Sequence, residues 1–132
     1  MKKTDNFSNC LKVLEGADFS LAEKDEIYRT GVIGQFNLTF ELAWKALQAV
    51  LRLHGVQAAD SDSPREILQL GYKFGFLNDP DIWLKMLRKR NTAAHIYSES
   101  DADELLQLIR IEFTAAFKNL EQTLREKESE II

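Results

Sequence analysis

The sequence predicts an all-α protein, an antiparallel up-and-down bundle of four to five helices. Three observations carry this. Apolar residues recur at spacings of three and four over long stretches and nowhere alternate as a half-buried strand would. Only Pro64 and Pro80 interrupt a chain of 132 residues, and Gly is sparse at six. The breaks between periodic stretches are short and polar. A chain of this length is expected to make one domain over residues 1–132, large enough to bury a single core.

Taken in order, residues 5–17 place Phe7, Cys10, Leu11 and Leu14 at helical spacing, with Gly16 near the end. Residues 18–22 read as a link, with Ser20 as the cap of the next helix. Residues 23–54 read as one long helix, its stripe formed by Phe36, Phe40, Ala43, Leu47, Val50 and His54 and widened by Trp44 and Leu51. Gly31 and Gly34 each cost about 1 kcal/mol in a helix interior, so they mark a kink or the close approach of another helix. Gly55 supplies the stop.

After an acidic loop at 58–63, Ser63-Pro64-Arg65-Glu66 is a helix start, with Ser as N-cap, Pro in the first turn and Glu at the third position. That helix carries Ile67, Leu68, Leu70 and Tyr72 and frays between Gly71 and Gly75. Asn78-Asp79-Pro80 is a turn with Asp79 as cap. The next helix runs over 81–97 and packs through Ile82, Trp83, Leu84, Met86 and Leu87. A polar break is expected at 98–103. A last helix over 102–127 comes after it, with a stripe of Leu105, Ile109, Phe113, Ala116, Phe117, Leu120 and Leu124.

Composition narrows the function classes. Cys10 is the single cysteine, so no internal disulfide forms, and its apolar neighbours make it a core residue. No apolar run reaches the length that spans a bilayer. Lys2 and Lys3 are followed by polar residues with no signal-peptide core. Both point to a cytoplasmic protein with no membrane partner. The net charge of −4 argues against indiscriminate nucleic-acid binding. Its distribution is uneven. No acid lies between Asp81 and Glu99, where Lys85, Arg88, Lys89 and Arg90 supply four cations. Subtracting those four from 17 leaves 13 basic against 21 acidic residues elsewhere, a balance of −8. This local basic stretch reads equally as a solvated helix face or as a surface that holds a polyanion.

The chemistry concentrates in Arg90-Asn91-Thr92-Ala93-Ala94-His95-Ile96-Tyr97. Histidine titrates near neutrality and can take a proton from a ribose 2′-OH. Arginine donates in a fork to a phosphate whose oxygens gain charge. Such a pair cleaves RNA with no metal, because the 2′-OH is itself the nucleophile, and it cannot cut DNA by that route. Lys85, Arg88 and Lys89 would hold the RNA backbone. On an ideal helix Arg90 and Tyr97 share a face while His95 is rotated by roughly 140° from Arg90. The site therefore needs a bend near His95 or a second copy of the chain packed across a two-fold axis. The structural reading of the same residues also stands: Arg90 pairs with an acidic neighbour, His95 fills a helix-end pocket, and Tyr97 packs. His54, beside Gly55, is incidental to this chemistry.

Other chemistries lack their residues. The two histidines lie far apart, and no CxxC, HExxH or Glu-x-x-His pair offers a metal site, so neither metal nor cofactor is expected. No Gly-rich phosphate loop follows a strand, and no nucleophile elbow is visible.

The segment resembles a known group. Arg90-Asn91-Thr92-Ala93-Ala94-His95 matches the R-x4-H ribonuclease motif of the HEPN superfamily, and His95-Ile96-Tyr97 completes its longer R-x4-H-x-Y form. Phe40-Glu41-Leu42-Ala43-Trp44-Lys45 and Ser63-Pro64-Arg65-Glu66 resemble the second and third helices of the HepT-like, or nucleotidyltransferase substrate-binding, proteins. The resemblance covers most of the chain. It implies a toxin of a type VII-like toxin–antitoxin pair, a ribonuclease with Arg90 and His95 as its catalytic pair near a homodimer or higher homo-oligomer interface. Asn91 would support the site by hydrogen bonding. Tyr97 would receive AMP from a cognate minimal nucleotidyltransferase, which silences the toxin by adding charge and bulk. By analogy Glu41 faces the site and Trp44 belongs to the core. The alternative within the same family is a non-catalytic subunit that binds substrate for a separate nucleotidyltransferase. The chain itself lacks the Gly-Ser and paired-carboxylate strand motif of a transferase.

Overall fold

The computed structural model describes residues 1–92 and 98–131. Among them there is no strand, and the chain is an all-α bundle, as the periodicity predicts. Helices α1 (Lys2–Glu15), α2 (Phe19–Lys24), α3 (Glu26–Leu53), α4 (Pro64–Lys73), α5 (Pro80–Thr92), α6 (Glu99–Leu108) and α7 (Thr114–Ser129) succeed one another in that order. A short 3-10 turn at Gln57–Asp60 precedes α4, and a π-helical turn at Ile109–Phe113 joins α6 to α7.

Helix α3 is the axis, in contact with α1, α2, α4, α5, α6 and α7. Its buried stripe of Phe36, Phe40, Ala43, Leu47, Val50 and Leu51 is the one the spacing of three and four predicts. Rings from five elements meet along it. Phe36 stacks on Phe113 at 5.3 Å, Phe117 lies 6.1 Å from Phe7, and Trp83 meets Phe117 edge-on at 5.6 Å. Each such pair adds about 0.5–1.5 kcal/mol beyond the area it buries. This aromatic column fixes where α5 lies against α3, and so where the cations of α5 lie.

The caps explain the boundaries. The Ser63 hydroxyl accepts from the Glu66 N–H at 3.3 Å, and Asp79 accepts from Ile82 N–H at 3.2 Å, both as predicted. Gly55 (φ 81) and Gly75 (φ 79) close α3 and α4 in left-handed conformations that a Cβ would strain. In each case the next residue donates back five positions, Val56 to the Leu51 carbonyl at 3.0 Å and Phe76 to Gly71 at 2.7 Å.

Three expectations are corrected. Residues 18–22 are not a link, because Asp18 rather than Ser20 is the cap: it accepts from Leu21 N–H at 3.0 Å and starts α2. Asp25 then caps α3 through Tyr28 N–H at 2.9 Å, so the long helix begins three residues later than 23. Residues 98–103 are not a break either, since Ser98 accepts from Asp101 N–H at 3.1 Å and opens α6. Gly31 and Gly34 lie within α3, and a Cβ at either would meet nothing within 4 Å among the described residues, so no described helix of this chain approaches closely there.

Cys10 is buried, as expected, with its sulfur 3.3 Å from the Thr39 hydroxyl. Among the described residues no helix is long and apolar enough to cross a membrane.

Candidate active site

Helix α5 presents its cations through the same spacing that packs it. Trp83, Met86 and Leu87 are its buried residues, and Arg90 lies seven positions after Trp83, two turns on and on the same face. Trp83 sets its ring 6.2 Å from Phe40 of α3. Arg90 then meets Glu41, the next residue of α3.

The contact is a close ion pair. Arg90 Nη2 donates to Glu41 Oε2 at 2.6 Å, while Nη1 donates to Asn91 Oδ1 at 3.1 Å. The same Oε2 accepts from Trp44 Nε1 at 3.1 Å, and Oε1 faces the Lys45 ammonium at 3.5 Å. The side chains of Arg90 and Glu41 are 33% and 28% exposed, so solvent screens the pair and it contributes about 1 kcal/mol or less to stability. Its stronger effect is on orientation. Two hydrogen bonds restrict the planar fork, and the described residues engage only two of its five N–H donors. With one carboxylate (Glu41) and two cations (Arg90, Lys45), the cluster carries a net charge of 2 − 1 = +1.

The flanking cations behave differently from one another. Lys85 lies 3.7 Å from Glu112, and Lys89 lies 3.6 Å from Glu104. Arg88 is exposed and has no acid within 4.0 Å among the described residues. The stretch that is acid-free in sequence is therefore not acid-free in space, because α6 and the π-helical turn bring two carboxylates to it. His95 and Tyr97 lie outside the described residues.

Trp44 is in the core, 6% exposed, as expected. Its indole N–H nevertheless reaches out to Glu41, and that link from core to site was not legible in the sequence. Lys45 was also missed. The signal for Arg90 having an acidic partner was present in the spacing from Trp83, because a cation on a packing face demands a counter-charge.

His54 has a structural place. Its Nε2 is 2.8 Å from the Lys127 carbonyl, and its ring meets Phe76 edge-on at 5.4 Å. It borders an open cleft of about 560 Å³ lined also by Lys73, Phe74, Phe76 and Lys127. Both lysines there sit in last helical turns, where the helix dipole favours cations, and over aromatic faces at 5.7 and 5.3 Å. Among the described residues no group of three His, Cys, Asp or Glu side chains is placed to hold a metal ion.

An all-α bundle with a guanidinium fixed on the packing face of α5 defines the class structurally. A model of the nucleotidyltransferase substrate-binding protein-like family matches residues 2–126, and the chain belongs to that family. Comparison with curated proteins gives no match.

Proposed function

We propose that this chain is a HEPN-type ribonuclease toxin that acts on RNA in the cytoplasm and is silenced by a cognate minimal nucleotidyltransferase. The observation that carries the reading is the Arg90 fork, held by Glu41 and Asn91 at the head of the R-x4-H-x-Y segment. Family membership supports the nucleotidyltransferase as partner. The whole chain, 1–132, would act as one domain without a metal or other cofactor.

In this reading Arg90 takes the scissile phosphate and His95 removes the proton from the neighbouring 2′-OH. The 2′ oxygen attacks phosphorus, a 2′,3′-cyclic phosphate forms, and the bond to the 5′ oxygen breaks as that oxygen takes a proton from water, the proton held by His95 then returning to solvent. Arg88 contacts the backbone, with Lys85 and Lys89 joining as their carboxylates are displaced. A homodimer would complete the site, and an exposed stripe of Ile27, Gly31, Gly34 and Leu38 running along α3 towards Glu41 supports a second copy there. Tyr97 would accept AMP from ATP with release of pyrophosphate, which sets a negative group where RNA should sit.

The second reading, a substrate-binding subunit without activity of its own, is favoured by the family's description and by the neutralised Lys85 and Lys89. One experiment separates the two. Purified chain is incubated with RNA in EDTA, before and after treatment with ATP and the cognate nucleotidyltransferase, while cleavage and intact mass are tracked. We expect cleavage by the untreated wild type, strongly slowed but measurable cleavage by Arg90→Ala, none by His95→Ala, and loss of cleavage as one adenylate is added at Tyr97. An inert wild type would favour the binding subunit, and adenylation that persists in Tyr97→Phe would move the modification elsewhere.

A further inference from the structure

We infer that Glu41 is a positioning residue for the RNA-cleaving centre, holding the Arg90 guanidinium in the pose from which its remaining N–H donors meet the scissile phosphate. The inference rests on the ribonuclease reading and assigns a role to a residue 49 positions away from Arg90 in sequence.

The chain of contacts runs from core to site. Trp44 is almost wholly buried, so packing restrains its indole N–H as a donor. It anchors Glu41 Oε2 at 3.1 Å. That oxygen in turn receives Arg90 Nη2 at 2.6 Å. An arginine near a helix end otherwise samples many rotamers, and ordering it when RNA arrives would consume binding energy. Here the ordering is done in advance, and the bundle's rigidity is passed to the guanidinium through one carboxylate.

A carboxylate beside a phosphate site also has a cost, since it repels the polyanion it helps to process. Lys45 at 3.5 Å offsets part of that repulsion. This opposition gives Glu41 a kinetic signature that a merely structural residue lacks. Glu41→Gln keeps an oxygen for Trp44 and Arg90 while removing the charge, so RNA binds more tightly and turnover falls. Both KM and kcat drop. Glu41→Ala frees the guanidinium and lowers kcat by roughly 10- to 100-fold, the scale of an ångström-sized misplacement, while KM does not rise, because losing the carboxylate's repulsion offsets the cost of ordering Arg90. A residue that only holds the bundle together would lower the melting temperature and leave both constants of the folded protein unchanged.

The test measures kcat and KM for one RNA in EDTA with wild type, Glu41→Ala, Glu41→Gln, Arg90→Ala and the Glu41→Ala/Arg90→Ala double variant, with a thermal melt of each. Because Glu41 acts through Arg90, the double variant should be no slower than Arg90→Ala alone. The role is overturned if Glu41→Ala turns over like wild type, or if the two single losses multiply in the double variant. Should Glu41→Ala fail to fold, a Glu41→Gln protein with wild-type kcat and KM overturns it equally. An inert wild type removes the ribonuclease reading and this role together. An active wild type, a strongly slowed Arg90→Ala and a fully active Glu41→Ala remove the role of Glu41 alone.

Discussion

At the scale of residues, the two histidines have opposite assignments. His54 ties the end of α3 to the last turn of α7 through the Lys127 carbonyl and packs on Phe76. Its truncation removes a hydrogen bond and an edge-on ring contact, and should cost about 1–3 kcal/mol. His54→Ala is therefore expected to lower the urea midpoint while the folded protein cleaves RNA as before. His95→Ala should abolish cleavage by the folded protein. A His54→Ala protein that folds normally but no longer cleaves would mean that the active histidine has been misassigned. The R-x4-H-x-Y segment can be singled out from the sequence because Arg90, His95 and Tyr97 stand close together in the chain. An acidic partner for Arg90 and a place for Glu41 near the site were each expected, but that the two form one pair was not legible, because Glu41 arrives from another helix.

At the scale of elements, most of the helices were legible and their junctions less so. Ser63-Pro64 and Asp79-Pro80 announce their helices because cap and proline stand together. Asp18 and Asp25 were obscured because the two caps enclose a helix of six residues, too short to show a period. The π-helical turn had a readable cause. Leu105, Ile109, Phe113 and Phe117 repeat at three successive steps of four, and all four are buried. On a straight α-helix those 12 residues would rotate the stripe by roughly 120°. One extra residue absorbed in a π-turn returns it to within roughly 20°, and the Thr114 hydroxyl donates to the Ile109 carbonyl there. Glycines divide in the same physical way. A Cβ at Gly71 would lie 2.8 Å from Leu47 Cδ2 and 3.2 Å from Leu77, both in the core. Gly71→Ala should thus cost about 1–3 kcal/mol by overpacking. Gly31→Ala faces open space and should stabilise a dilute, monomeric sample by about 0.5–1 kcal/mol through helix propensity. Denaturant titrations of the two variants should shift in opposite directions. A shared direction would contradict the packing described for α3 and α4.

At the scale of the whole molecule, the bundle works as a frame that carries order from an aromatic core to one charged fork. Phe36, Phe40, Trp83, Phe113 and Phe117 fix α5 on α3, and the same register sets Arg90 on Glu41. The all-α class was readable from periodicity alone, since a regular apolar stripe specifies helix faces wherever it is long. The surface charge was not, because pairing across elements, as at Lys85–Glu112 and Lys89–Glu104, depends on tertiary placement. If this frame positions groups for attack by a ribose 2′-OH, the 2′ oxygen at the cleaved position is indispensable. The decisive measurement is cleavage in EDTA of an RNA oligonucleotide and of the same oligonucleotide carrying a 2′-deoxy sugar at that position. We expect the first to be cut to a 2′,3′-cyclic phosphate and the second to be left whole there. Cutting of both at equal rates, or a wild type that cuts neither, would refute attack by the 2′-OH at this site.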